Sequence, residues 1–175
     1  MGEAKPSWDE TFFDVARVFA LRGTCLRRNF GAAIVTPDNV FKAAGYSGAP
    51  RKIEDCREIG KCYRIEQNIP AGRNYELCRS VHAEQNAIIN ASREGVQIKG
   101  CKMYIYGIDS LGNLLEVNEP CNMCWRVIIN SGIEKVMTLS KHGIKEFLIE
   151  DRITMLEQDP FLEFKTGYGS KEQEG

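Results

Sequence analysis

His82-Ala83-Glu84 and, further along the chain, Pro120-Cys121-Asn122-Met123-Cys124 are the residues whose types and spacing could do chemistry. One imidazole and two thiols make three zinc ligands. A structural zinc site usually closes with four protein ligands, whereas a catalytic one keeps a position for water. Cys121 and Cys124, three positions apart, share one face of a helix and can reach one ion. Proline is tolerated at the first position of a helix, so Pro120 is expected to open this one. The positive end of that helix favours thiolate over thiol. His82 and Glu84 differ by about 200° of helical rotation, which a helix start reconciles: His82 binds the metal and Glu84 curls back toward the open position. A water held there has its pKa drawn toward about 7, and Glu84 could hand its proton to ammonia leaving an amidine-like carbon. The competing reading closes a structural zinc site with one upstream cysteine and leaves Glu84 without a task.

Several elements must position these groups. Ser7-Trp8-Asp9-Glu10 has the form of a capping box, and Phe12, Phe13, Ala16, Phe19 and Ala20 follow at helical spacing, which predicts a helix over 8–21. Residues 30–36 form an apolar run ending at the turn signal Pro37-Asp38-Asn39, and 40–45 returns as the second strand of a hairpin. Gly45-Tyr46-Ser47-Gly48-Ala49-Pro50 reads as a loop. Residues 81–93 predict a helix with Ala87, Ile88 and Ala91 on one side. Residues 102–108 predict a strand with Met103 and Ile105 opposite Tyr104 and Tyr106, turning at 109–113 into 114–117. The cysteine-bearing helix from Pro120 ends near Ser131-Gly132; 134–139 is a strand and 144–156 a helix. Alternating strands and helices of this kind make an α/β sheet covered on both faces.

The bulk properties narrow the partners. With 175 residues the chain fits one domain, with a core over about 8–157, an insert at 51–80 and a frayed tail over 167–175. Net charge is −1, so no broad basic field exists to hold a long nucleic acid, and a small substrate is favoured. No apolar run approaches the roughly 20 residues of a membrane span, and the polar start lacks a signal peptide's apolar segment. Seven cysteines, an odd count, suit metal binding in a reducing, cytoplasmic setting better than disulfides. Cys101, alone, reads as a small core residue, and His142, at a strand end, as a surface or capping group.

The pairing of H-x-E with P-C-x-x-C resembles the zinc-dependent nucleobase deaminases, and the chain is similar to the deoxycytidylate (dCMP) deaminases of the cytidine/deoxycytidylate deaminase family. The resemblance extends through Thr24-Cys25-Leu26-Arg27-Arg28, Gly31-Ala32-Ala33-Ile34-Val35, the 45–50 loop, Leu77-Cys78-Arg79, 82–88 and 128–133, covering about residues 10–157 in order. It implies a three-layer α/β/α fold around a five-stranded mixed sheet, assembled as a homo-oligomer, a dimer or hexamer. It further implies a catalytic zinc on His82, Cys121 and Cys124, Glu84 as proton shuttle, and conversion of dCMP to dUMP and ammonia for thymidylate synthesis. Asn29, Tyr46, Ser47, Gly48 and Arg93 then fall at substrate-contacting positions, Arg93 at the phosphate, with Arg27 and Arg28 near the pocket; dCTP and dTTP are the implied effectors. Arg93 also reads as the solvated basic end of a helix. Two departures stand out. Ser47 replaces the Asn of the family's Gly-Tyr-Asn-Gly loop and has a shorter reach to the sugar. The 107–119 segment is long and ends in Glu119-Pro120-Cys121, a form shared with tRNA adenosine and guanine deaminases.

Cys25, Cys56, Cys62 and Cys78 match positions in relatives with a long insert, some carrying a second zinc. A four-thiolate site would pin the 51–80 stretch, which has too few apolar residues to fold by burial; independent buried thiols are the other reading. The alternatives for the whole chain are a deaminase of another cytosine nucleotide, a nucleoside or a purine base, or a zinc-stabilised binding domain without activity.

Overall fold

The computed structural model describes residues 4–70 and 72–159. Ser7 caps the first helix, α1 (Trp8–Leu21): its hydroxyl accepts from the Glu10 amide, and the Glu10 carboxylate accepts from the Ser7 amide at 2.7 Å. This is the reciprocal arrangement the sequence pattern predicts. Strands β1 (Arg28–Val35) and β2 (Phe41–Tyr46) pair antiparallel, and β1 also pairs antiparallel with β3 (Lys102–Asp109). β4 (Lys135–Ser140) runs parallel to β3, and β5 (Gly143–Leu148) closes the far edge antiparallel to β4. The order β2-β1-β3-β4-β5 is the expected five-stranded mixed sheet.

Alternation along the central strands divides the core into two layers. Ala32, Ile34, Met103, Ile105 and Val136 face α4 (Ala83–Arg93) and α5 (Asn122–Asn130), whose Ala83, Ala87, Ala91, Trp125 and Ile128 meet them. Ala33, Val35, Tyr104 and Met137 face α1 through Phe12, Phe13 and Ala16. Both sheet faces are therefore covered, and β1 and β3 read as apolar runs for that reason. Met103 and Ile105 lie opposite Tyr104 and Tyr106, as their spacing predicts.

Three expectations require correction. Residues 144–156 do not form one helix: 143–148 is strand β5, followed by α6 (Ile149–Gln158). Ile144, Phe147 and Leu148 carry helical spacing, yet β5 is a mostly exposed edge strand without the alternation that betrays a buried one. Residues 114–117 supply no strand; Leu114 makes a single bridge to Ile108, because Asp109 folds the turn on itself by accepting from the Leu111 and Asn113 amides. Pro120 precedes α5 instead of opening it, and Cys121 is the N-cap. The tail expected over 167–175 lies outside the described residues.

The insert contains two single-turn helices, α2 (Cys56–Ile59) and α3 (Tyr63–Glu66), and a 3-10 turn over Tyr75–Leu77. Among the described residues no helix is long and apolar enough to cross a membrane.

Candidate active site

The start of α4 is held against the sheet edge before any chemistry begins. A Cβ on Gly45 would collide with the Ala87 amide and the Ala83 carbonyl, so glycine lets the helix approach β2 this closely. Asn86 and Asn90 donate to the Tyr46 and Ala44 carbonyls at 2.8 Å each, satisfying acceptors on an edge strand. Gly48 and Val81 exchange backbone hydrogen bonds, fixing the residue before His82. His82 is the N-cap of α4, with extended backbone, and Glu84 is the second helical residue. Cys121 is the N-cap of α5 and Cys124 lies in its first turn. Two helix N-termini thus converge on one point, where their unpaired amides favour anions.

His82 Nδ1 lies 3.5 Å from Cys121 Sγ and 3.3 Å from Cys124 Sγ. Of the described residues, only these three bring metal-ligating atoms within 4.8 Å of one another. Two buried thiols and a half-buried imidazole, convergent, fit zinc by donor type and count. Glu84 is 6% exposed and is not part of that ligand set; its carboxylate accepts from the Cys124 thiol beside it. Burial pushes the Glu84 carboxyl above its ordinary range, and the neighbouring His82 partly offsets this. The hydrogen bond from Cys124, with help from His82, draws the Cys121 thiol down to about 4, while Cys124 keeps its proton. For His82 burial opposes protonation, but the hydrogen bond with Cys121 and the Glu84 charge outweigh it and lift the imidazole.

His82, Glu84 and Cys121 open into a cavity also lined by Arg27, Arg28 and Arg64, with Phe30 and Tyr75 as ring surfaces. Ser47 reaches it as well, although its hydroxyl already accepts from the Phe30 amide at 2.9 Å. Glu119 brings the end of the long 107–119 segment to the same cavity and pairs with Lys145 at 2.6 Å. Other residues singled out in the sequence lie elsewhere. Asn29 is 1% exposed, and its Oδ1 accepts from the Cys25 amide at 2.9 Å, holding the loop before β1. Tyr46 and Gly48 shape the loop around Ser47 without lining the cavity. Arg93 is exposed at the opposite end of α4, about 16 Å along the axis from His82, and is not brought to the cavity. His142 sits exposed in the β4–β5 turn, and Cys101 is a buried core residue. Arg64, Tyr75 and Glu119 are site neighbours that spacing did not reveal; an arginine and a tyrosine in a polar insert just ahead of His82 were the available signal.

Cys25 and Cys78 lie at the edge of this cavity, and Cys78 also borders a groove with Cys56 and Cys62. Burial, then the charges of Cys62, Cys25 and Cys78, push the Cys56 thiol up to about 11. The four sulfurs do not approach as tightly as the His82 group.

Residues 6–140 match the family described as the cytidine and deoxycytidylate deaminase zinc-binding region, and the chain belongs to that family. The deoxycytidylate deaminase of Schizosaccharomyces pombe is 34% identical over 133 residues, which is 76% of this chain and 37% of that protein. That of Mycobacterium phage D29 is 32% identical over 138 residues, covering 77% of this chain and 95% of the phage protein. Among solved structures, the cyanophage S-TIM5 dCMP deaminase in complex with dCMP and dUMP superposes with a TM-score of 0.54 at 21% identity, over 78% of this chain and 83% of that one. The Burkholderia pseudomallei cytidine deaminase gives 0.54 at 17% identity, over 81% and 93%. These likenesses establish the cytidine-deaminase-like fold.

Proposed function

We propose that the chain catalyses hydrolytic deamination of dCMP, giving dUMP and ammonia. The carrying observation is the three-ligand group of His82, Cys121 and Cys124 with the Glu84 carboxylate beside it, opening into a cavity that three arginines border. Zinc held by these residues would leave a position for water and lower that water's pKa toward about 7. Glu84 would take one proton of the attacking water and pass it to N3 as the oxygen adds to C4, then carry the remaining hydroxyl proton to the exocyclic amine, so that the C4–N bond breaks, ammonia leaves and C4=O forms. Its burial suits this role, because a carboxyl lifted toward neutrality can both accept and return a proton. The names of the relatives support dCMP as the substrate. So does the cavity: Arg27 spends one donor on the Ile69 carbonyl at 3.0 Å and has others to offer a phosphate. Arg27 and Arg28 are better placed for that phosphate than Arg93.

The decisive experiment compares ammonia release from dCMP, CMP, deoxycytidine and cytidine. A charge-assisted contact contributes roughly 1.5–3 kcal/mol, so kcat/KM for dCMP should exceed that for deoxycytidine by about 10- to 100-fold. Equal or better turnover of the unphosphorylated nucleosides would remove the nucleotide assignment.

We infer in addition that Cys25, Cys56, Cys62 and Cys78 hold a second, structural zinc that pins the insert. Their mutual proximity around the buried Cys56 supports this. Purified protein should carry two zinc ions per chain, falling to one in the Cys56→Ser/Cys62→Ser double variant. One ion per chain in the unaltered protein would leave four independent thiols. The exposed Ile53, Ile59, Tyr63, Ile65 and Leu77 of the same segment support assembly into a homo-oligomer.

A further inference from the structure

Arg64 is a charged side chain with only 6% exposure, in a segment whose described residues are mostly exposed. Burying a guanidinium is unfavourable unless its donors and its charge are matched. Its Nη2 donates to the Pro70 carbonyl at 2.8 Å and also to the Arg73 carbonyl. Its guanidinium carbon lies over the Tyr75 ring, 4.9 Å from the centroid, a cation–π contact. The edge of this stack meets the metal group. Tyr75 packs against the His82 ring at a centroid distance of 4.6 Å and an interplanar angle of 90°.

The connection runs through one continuous set of contacts. Arg64 sits in α3 and grips two carbonyls of the turn that leads into the Tyr75–Leu77 3-10 turn. Asn74, in the left-handed region at φ 51°, ends that turn and presents Tyr75. Tyr75 then fixes the plane of an imidazole whose Nδ1 must point at two sulfurs. His82 is an N-cap, so its side chain is not held by the helix body as a mid-helix residue would be. Outer contacts that orient a ligating histidine typically change metal affinity by about 10- to 100-fold when lost.

We propose that Tyr75, backed by Arg64, is a positioning residue that locks the His82 ring for metal binding and so couples the 51–80 insert to the deaminase site. This rests on the reading of that site as a zinc-dependent deaminase, but the metal measurements do not require turnover. Tyr75→Leu removes the aromatic edge while keeping an apolar side chain. It should weaken zinc binding about tenfold, measured by chelator competition, and broaden or shift the ligand-field absorption of the cobalt-loaded protein. At saturating zinc, kcat for dCMP should fall about tenfold with KM within twofold. Tyr75→Phe retains the ring and should restore both affinity and kcat. Arg64→Lys keeps the charge but cannot reproduce the guanidinium's fixed fork at the Pro70 and Arg73 carbonyls, and should weaken zinc binding about threefold. Unchanged zinc affinity and spectrum in Tyr75→Leu overturn the proposal. A change confined to KM also overturns it, since that marks a substrate contact. Loss in Tyr75→Phe equal to that in Tyr75→Leu does the same, by assigning the effect to the hydroxyl. Unchanged affinity in Arg64→Lys removes the arginine from the scheme. If the unaltered protein deaminates no cytosine nucleotide while Tyr75→Leu still loses zinc affinity, the functional reading fails and the stack stands.

Discussion

Glu84→Gln should abolish dCMP turnover, by at least about 10²- to 10⁴-fold, the range for removal of a general acid–base group, while zinc content stays at the level of the unaltered protein. Glutamine fills the same buried space and lies outside the ligand set, so neither packing nor zinc ligation is disturbed. What it cannot do is take up a proton at the reacting water. The variant should also be at least as stable as the parent when both are metal-free. The folded Glu84 carboxyl holds its proton more tightly than the unfolded one, whose ordinary value is 4.5. Its ionisation therefore lowers stability as pH rises above 4.5 toward the raised folded value. A neutral amide escapes that loss. Turnover by Glu84→Gln near the parental rate would take the proton shuttle away from this residue. Coincident loss of zinc and of fold would support a structural metal site instead.

The parts of this design that were readable in the sequence are those where one local pattern determines the outcome. Ser7 with Glu10 announces α1, and H-x-E with P-C-x-x-C announces the ligand set, because capping and ligation both demand fixed spacings. The two core layers were equally legible at β3, where Met103 and Ile105 alternate with Tyr104 and Tyr106 between faces buried on both sides. β5 was not legible. An edge strand facing solvent keeps no alternation, and Ile144, Phe147 and Leu148 happen to sit at helical intervals. The start of α5 was misread by two residues, since a proline suits the position just before an N-cap as well as the first turn. Arg64 and Tyr75 escaped notice because their contacts with each other and with His82 come from the folding of an irregular insert. The placement of Arg93 shows the converse limit: a helix of known length carries its last residue away from a site built on its first.

Cys124→Ser should give a protein that folds, loses the zinc of the His82 group while keeping that of the four-cysteine group, and turns over no substrate. Serine nearly matches the volume of the thiol at a position with 0% exposure, but it replaces a soft thiolate with a hard, protonated oxygen that zinc binds poorly. Chelating the unaltered protein should empty the His82 group likewise, along with the four-cysteine group. Its far-UV circular dichroism should persist, because Ile34, Met103, Ile105, Ile128 and Val136 form an apolar core that needs no metal. Thermal stability should nevertheless fall. A ligand at about 1,000 times its Kd contributes about 4 kcal/mol to the folded state, and that contribution disappears with the ion. Zinc uptake should also release protons and weaken as pH falls. In the metal-free site Cys124 retains its proton against the neighbouring Cys121 charge, and the Cys121 contact raises the His82 pKa, so the ion must displace protons to gain its ligands. Adding zinc back to the chelated protein should restore activity, whereas Cys124→Ser should stay inactive at any zinc concentration that does not precipitate it. Full turnover in the chelated protein, with the His82 group verified to be empty, would detach the chemistry from these three ligands altogether. The pairing of a metal-independent core with a metal-dependent site is what separates this arrangement from a zinc-built fold, and the two readouts, circular dichroism and melting temperature, report the two halves separately.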